Sequence, residues 1–114
     1  MVASHPDTVC PSPDGGLPDT GAYMVLFDAA TGVRPEHVCG KPNAGMILHK
    51  VESLGLRPEQ CAMIGDRLYT DIEMADRAGV HGVLVLSGEG TMESLEAAPQ
   101  APSLVVGSVD ELVR

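Results

Sequence analysis

Residues 61–65 (CAMIG), 83–86 (VLVL) and 104–106 (LVV) are short unbroken apolar runs, with room for one helix between each and the next. A strand with water on one face alternates apolar and polar side chains, so a strand without alternation expects cover on both faces. Helix signals stand between and after these runs. Thr70 and Glu73 have capping-box spacing with Gly79 as a stop, Thr91 opens another helix, and Ser108 with Glu111 makes a further box. Buried strands alternating with capped helices predict βαβ units and a parallel sheet, the α/β class. The chain has 114 residues, at most one ordinary domain, and can bury roughly two-thirds of its unfolded surface. Its core must be aliphatic, because it has one Phe, two Tyr and no Trp.

The first third reads differently. Residues 1–18 are rich in Pro, Gly and Asp and predict loop. From Thr20, read as an N-cap, GAYMVLFDAATG predicts a helix closed by Gly32. A short extended piece, RPEHVCG, leads to a second helix in which Ile47, Val51 and Leu54 recur at helical spacing and Gly55 is the stop. No internal repeat or low-complexity tract is present. Met46, Met63 and Met74 read as core gap-fillers.

A formal net charge of -9 argues against nucleic acid or an anionic membrane surface as partner. Cys10, Cys39 and Cys61 are odd in number and far apart, without a CxxC or His-interleaved pattern, and read as reduced thiols. No basic-then-apolar leader and no run of membrane-spanning length occurs, so the expected location is the cytoplasm.

Ligands of open parallel sheets bind beyond the carboxyl ends of the strands. Asp66 stands at such an end, directly after Gly65, and Asp71 follows in the first turn of the next helix. Asp66 as a turn residue and Asp71 as a helix-dipole partner is one reading. It leaves unexplained why Gly65 precedes Asp66 and why two acids crowd one strand tip. The other reading is a hard-cation site, since Mg²⁺ takes one or two carboxylates and keeps its waters. Lys41, in GKPNAG just before a helix start, is either a solvated charge or a clamp for a phosphoryl oxygen.

GKPN, then a helix, then AMIGDRLYTDI resembles motifs III and IV of the haloacid dehalogenase (HAD) superfamily of aspartate-nucleophile phosphatases. Lys41 matches the motif III lysine, and Asp66 and Asp71 match the acids of motif IV in its GDxxxxD form. The upstream SHPDTVCPSPDGGLPDTGAYMVLFDAATGVRPEHVCGKPN is similar to family IIA, the NagD-like and p-nitrophenylphosphatase-like branch, whose inserted cap ends in a T-N-x-D segment, a proline-rich loop and an EAATG helix. The resemblance covers essentially the whole chain. It implies a mostly parallel, three-layer, Rossmann-like sheet forming the C-terminal half of a HAD core (residues 36–114), behind the tail of an α/β cap (residues 1–35).

The same resemblance implies a Mg²⁺-dependent phosphoric monoester hydrolase acting on a small phosphorylated metabolite through an aspartyl-phosphate. Asp66 would bind Mg²⁺, Asp71 would complete or support its shell, and Lys41 would neutralise charge at the nucleophile and phosphoryl group. The family's motif I (DxDGT) and the Ser or Thr of motif II have no counterpart. In VLFDAATG the nearest Asp, Asp28, is followed by Ala30 where the second Asp belongs, and the stretch reads as helix. The chain is therefore expected to be a fragment, inactive alone, with an exposed apolar strand edge. That edge would be met by a homo-oligomer or by a chain supplying the missing half-core. The rival is a non-catalytic metal- or partner-binding remnant, or one half of a split enzyme. His5 stands where the family has Asn, and reads as a solvated loop histidine.

Overall fold

The computed structural model describes residues 1–113, which form two compact units, residues 1–41 and the described residues from 42 on. The first contains β1 (Val2–Ala3), β2 (Val9–Cys10), β3 (Leu17–Pro18), α1 (Thr20–Thr31) and β4 (His37–Val38). β1 pairs in parallel with β4, and β2 antiparallel with β3. The Pro- and Gly-rich opening is thus not all loop, although each strand is only two residues long.

The N-cap of α1 is Asp19 rather than Thr20. Its Oδ1 accepts the Thr20 N–H at 2.7 Å, which leaves Thr20 as the first helical residue. Gly32 ends the helix at φ 71°, as expected of a left-handed stop, and its N–H returns to the Asp28 carbonyl. Gly21 is buried because the chain passes close by. Its N–H donates to the Asp7 carbonyl at 2.7 Å, and a Cβ there would overlap the Pro6 carbonyl oxygen.

In the second unit, α2 (Gly45–Ser53) precedes β5 (Ala62–Gly65), a π-helical turn (Leu68–Ile72) and α3 (Glu73–Ala78). β6 (His81–Val85), α4 (Met92–Ala97) and β7 (Leu104–Val106) follow. The three strands form one parallel sheet in the order β5-β6-β7. The α/β class with parallel strands is therefore as the sequence predicts.

Burial follows position in the sheet. Gly82, Val83, Leu84 and Val85 of the middle strand are all buried, as a run without alternation requires. β5 departs from that expectation: Ala62 and Ile64 are exposed, and Met63 is half-buried. Its hydrogen bonds go to β6 alone among the described strands, so it is an edge. One apolar cluster joins Val51, Ala75, Ala78 and Val80, and a second joins Leu68, Ile72 and Leu84. Met74 is buried, but Met46 is 60% exposed on the outer side of α2, so it fills no core gap.

The helix signals divide in the same way. Thr91 caps α4 through a reciprocal pair with Ser94. Thr70 and Glu73 do not form a capping box. Thr70 lies inside the π turn, and Glu73 instead accepts from Arg77 at 2.7 Å and Gln100 at 2.8 Å. Ser108 makes no side-chain cap, while Glu111 reaches back to the Gly107 N–H at 2.9 Å. Among the described residues no helix is long and apolar enough to cross a membrane.

Candidate active site

Asp66 follows the last residue of β5, at the strand's carboxyl end, and is half-buried. Its Oδ2 accepts the backbone N–H of Glu89 at 2.8 Å. Glu89 belongs to the loop that leaves β6, the neighbouring strand. That loop can approach because Gly88 and Gly90 flank Glu89. A Cβ on Gly88 would overlap the Asp66 carboxylate, and one on Gly90 would lie 2.6 Å from the Asp66 carbonyl oxygen. Asp66, Arg67, Tyr69, Glu89 and Ser94 are among the residues that line a hollow of about 90 Å³.

Asp71 occupies a different environment. It lies in the π turn and is 2% exposed. Its Oδ2 accepts the Arg67 N–H at 3.1 Å, while the Arg67 carbonyl accepts from both Asp71 N (2.9 Å) and Ile72 N (3.2 Å). The bond from Ile72, five residues on, is the π-helical one. The Asp71 side chain rests directly on Gly65, where any Cβ would overlap its Cβ and Cγ. Gly65 is thus required by Asp71: the acid lies over the strand tip and ties it to the start of the helix.

Two further side chains fasten this corner. Arg67 Nε meets Glu89 Oε2 at 2.6 Å, and the Tyr69 hydroxyl donates to Glu89 Oε1 at 2.8 Å. From sequence, Arg67 and Tyr69 stand in the motif IV loop, where they either face the site or are ordinary loop polarity, and Glu89 attracts no notice. A signal was available. In a parallel sheet the loop after the adjacent strand also faces the crevice, and Gly-x-Gly there marks a close backbone approach.

The structure brings Asp66 and Asp71 together in the second unit. Lys41, half-buried, is the last residue of the first unit, in the turn after β4. His5 is not a loosely solvated loop histidine. Its Nε2 lies 3.3 Å from Thr20 Oγ1 and 3.5 Å from Asp19 Oδ1, and its side chain is 32% exposed. Asp28 lies within α1 and pairs with Arg34 at 2.8 Å, so it stands on a helix and not at a strand end.

A hard cation fits the donor chemistry at Asp66. One oxygen is engaged by an N–H and the group is partly open to solvent, and Mg²⁺ takes few protein carboxylates. Asp71, buried and bonded to the loop backbone, fits better as a support than as a directly reached ligand.

Comparison with known proteins identifies the family. A family model described as HAD-hydrolase-like matches residues 38–112. The chain is 38% identical over 112 residues to a dihydroxyacetone phosphatase of Corynebacterium glutamicum, covering 98% of this chain and 40% of that protein. Its structure is similar to a 4-nitrophenylphosphatase from Thermotoga maritima, with TM-score 0.90 and 43% identity over 97% of this chain and 42% of that one. It is also similar to a glycerol phosphate phosphatase from Mycobacterium tuberculosis in complex with magnesium, with TM-score 0.86 and 32% identity over 97% of this chain and 34% of that one. The chain therefore spans well under half the length of each of these relatives. With most of its residues matched by the family model, and phosphatases matching in both sequence and fold, the chain belongs to the HAD superfamily of hydrolases, in its NagD-like and p-nitrophenylphosphatase-like branch.

Proposed function

We propose that these residues are the cation- and phosphate-binding part of a phosphomonoesterase that acts on a small phosphorylated metabolite in the cytoplasm. The observation that carries this reading is Asp66 at the carboxyl end of β5, with one oxygen held by the Glu89 N–H beside an open hollow. The named activities of the similar proteins support the reaction class, and the magnesium complex of the mycobacterial relative supports the cation. Free Cys10, Cys39 and Cys61 fit a reducing compartment.

Each residue then has a task. Asp66 would hold Mg²⁺, which when bound supplies positive charge to a phosphoryl oxygen. Asp71 keeps the strand tip and the Arg67 backbone in place, so that Asp66 is presented at a constant position. Lys41 would donate to a phosphoryl oxygen and offset charge as the bond to phosphorus forms. The attacking aspartate of this mechanism comes from a strand carrying DxDGT, which these 114 residues do not contain. The open edge of β5, with Ala62 and Ile64 exposed, supports the docking of such a strand from another segment, a second copy or another chain.

Calorimetric titration with Mg²⁺ tests the site. Wild type should give a saturable heat that Asp66→Asn abolishes, and equal heats in the two would remove Asp66 as a ligand. The 114-residue chain alone should not hydrolyse p-nitrophenyl phosphate above background. Turnover that survives repurification and disappears in Asp28→Asn would overturn this account of the nucleophile. Metal binding without turnover, even with a DxDGT-bearing partner present, would favour a non-catalytic module.

A further inference from the structure

Glu89 joins the two loops of the candidate site through three bonds of different kinds. Its N–H donates to Asp66 Oδ2 at 2.8 Å, its Oε2 meets Arg67 Nε at 2.6 Å, and its Oε1 accepts from the Tyr69 hydroxyl at 2.8 Å. One residue thus contacts positions 66, 67 and 69 of the loop that follows β5. An exposed ion pair on its own contributes little, and Glu89 is 49% exposed. The situation here differs because Glu89 stands between two glycines. Gly88 and Gly90 allow the loop to come close to Asp66, and they also give it the widest choice of backbone conformations. Some contact must select the one conformation in which the Glu89 N–H faces Asp66. The paired grip of Arg67 and Tyr69 on the Glu89 carboxylate does so.

The grip has a second consequence. Arg67 is the immediate chain neighbour of Asp66, and an unengaged guanidinium there would compete with a cation for the Asp66 carboxylate. Glu89 occupies it.

We propose that Glu89 is a positioning residue for Asp66: its clasped side chain holds its own N–H on one carboxylate oxygen and leaves the other oxygen for the cation. This rests on the reading of Asp66 as the magnesium ligand. Groups that orient a metal ligand typically contribute 10- to 100-fold to metal affinity, although they touch no metal.

Two measurements on the 114-residue chain test this together: amide exchange at Glu89 by NMR, and Mg²⁺ titration by calorimetry. In wild type the Glu89 amide should be protected. In Glu89→Ala the amide at position 89 should exchange at a loop rate and Mg²⁺ should bind about 10-fold or more weakly, with thermal unfolding little changed. Glu89→Gln keeps an acceptor for Tyr69 and should restore part of both. If Glu89→Ala leaves amide protection and affinity unchanged while Asp66→Asn abolishes the heat, the positioning role is wrong and the ligand reading stands. If Asp66→Asn leaves the heat unchanged, the ligand reading fails and the exchange result decides alone. Protection lost in Glu89→Ala would uphold the clasp on Asp66, and retained protection would overturn it.

Discussion

Replacing Gly65 by Ala should be one of the most damaging small changes available in this chain, although the general rule for a strand points the other way. An alanine in place of glycine within a strand ordinarily stabilises by about 0.5–1 kcal/mol, because glycine has more freedom to lose. Here the new methyl would lie 2.5 Å from Asp71 Oδ2 and closer still to its Cβ and Cγ. Carbon atoms pack best at about 3.5–4.0 Å, so the Asp71 side chain would have to retreat by about 1 Å. The bond from the Arg67 N–H, now 3.1 Å, would then pass beyond hydrogen-bonding distance. Overpacking costs about 1–3 kcal/mol, and a lost hydrogen bond to a charged group about 1.5–3 kcal/mol. The combined loss of about 2.5–6 kcal/mol is a large share of the roughly 5–15 kcal/mol that holds a whole domain together. At about 4 °C per kcal/mol the melting temperature should fall by about 10–24 °C. Urea unfolding of Gly65→Ala, Asp71→Ala and the double variant gives the decisive comparison. With Asp71 shortened to alanine only its Cβ remains in the way, so the two changes should be non-additive by about 1 kcal/mol or more. A Gly65→Ala cost under about 0.5 kcal/mol, or strict additivity, would refute the packing argument.

Thr70 distinguishes the capping-box reading from the π turn. As a cap, its replacement by valine would cost about 1 kcal/mol. Its hydroxyl is instead buried with no hydrogen-bond partner among the described residues, so Thr70→Val should be neutral or stabilising by up to about 1 kcal/mol, and a clear loss in thermal unfolding would restore the cap. Glu73 should give the chain a pH dependence on the acid side. The Gln100 amide, and next the Arg77 guanidinium, hold its carboxyl below the ordinary value of 4.5. A lowered folded value means that its contribution is complete above the unfolded value and is lost as pH falls through the folded one. The unfolding free energies of wild type and Glu73→Gln should therefore converge as pH falls below 4.5, and parallel curves would count against the assignment.

What could be read from sequence was what depends on pattern. The apolar runs gave a parallel sheet because continuous hydrophobicity needs two-sided cover, and β6 has it. β5 carries the same kind of run without the same cover, and the absence of a motif I neighbour already points to it as the exposed edge. GKPN and GDRLYTD point to the family because they carry a lysine and two acids in the order of its motifs III and IV. The π turn was hidden, because Thr70 and Glu73 carry capping-box spacing and nothing local distinguishes a reach back of five residues from one of four. Sequence alone does not separate Asp19 from Thr20 as the cap, because both are good caps and only the backbone decides between them. The environment of His5 was equally hidden: Thr20 and Asp19 are remote in sequence, and the fold brings them to its ring.

The two aspartates of the GDxxxxD stretch look interchangeable on paper, and the fold separates them. A cation must reach its ligand and strip away water, which favours a carboxylate that is partly open and has an oxygen to spare. Asp66 meets both conditions, with one carboxylate oxygen on the Glu89 N–H and a place on the rim of a hollow. Asp71 meets neither: at 2% exposure, its carboxylate is taken up with the Arg67 backbone and its methylene with Gly65. Its value lies in geometry. Asp66 is carried between Gly65 and Arg67, and Asp71 contacts both of those neighbours, so the orientation of Asp66 is set from behind. Glu89 sets it from the front. A carboxylate held on both sides would lose little further freedom on taking up a metal, which under the proposed function would be the physical advantage of placing Asp71 behind Asp66.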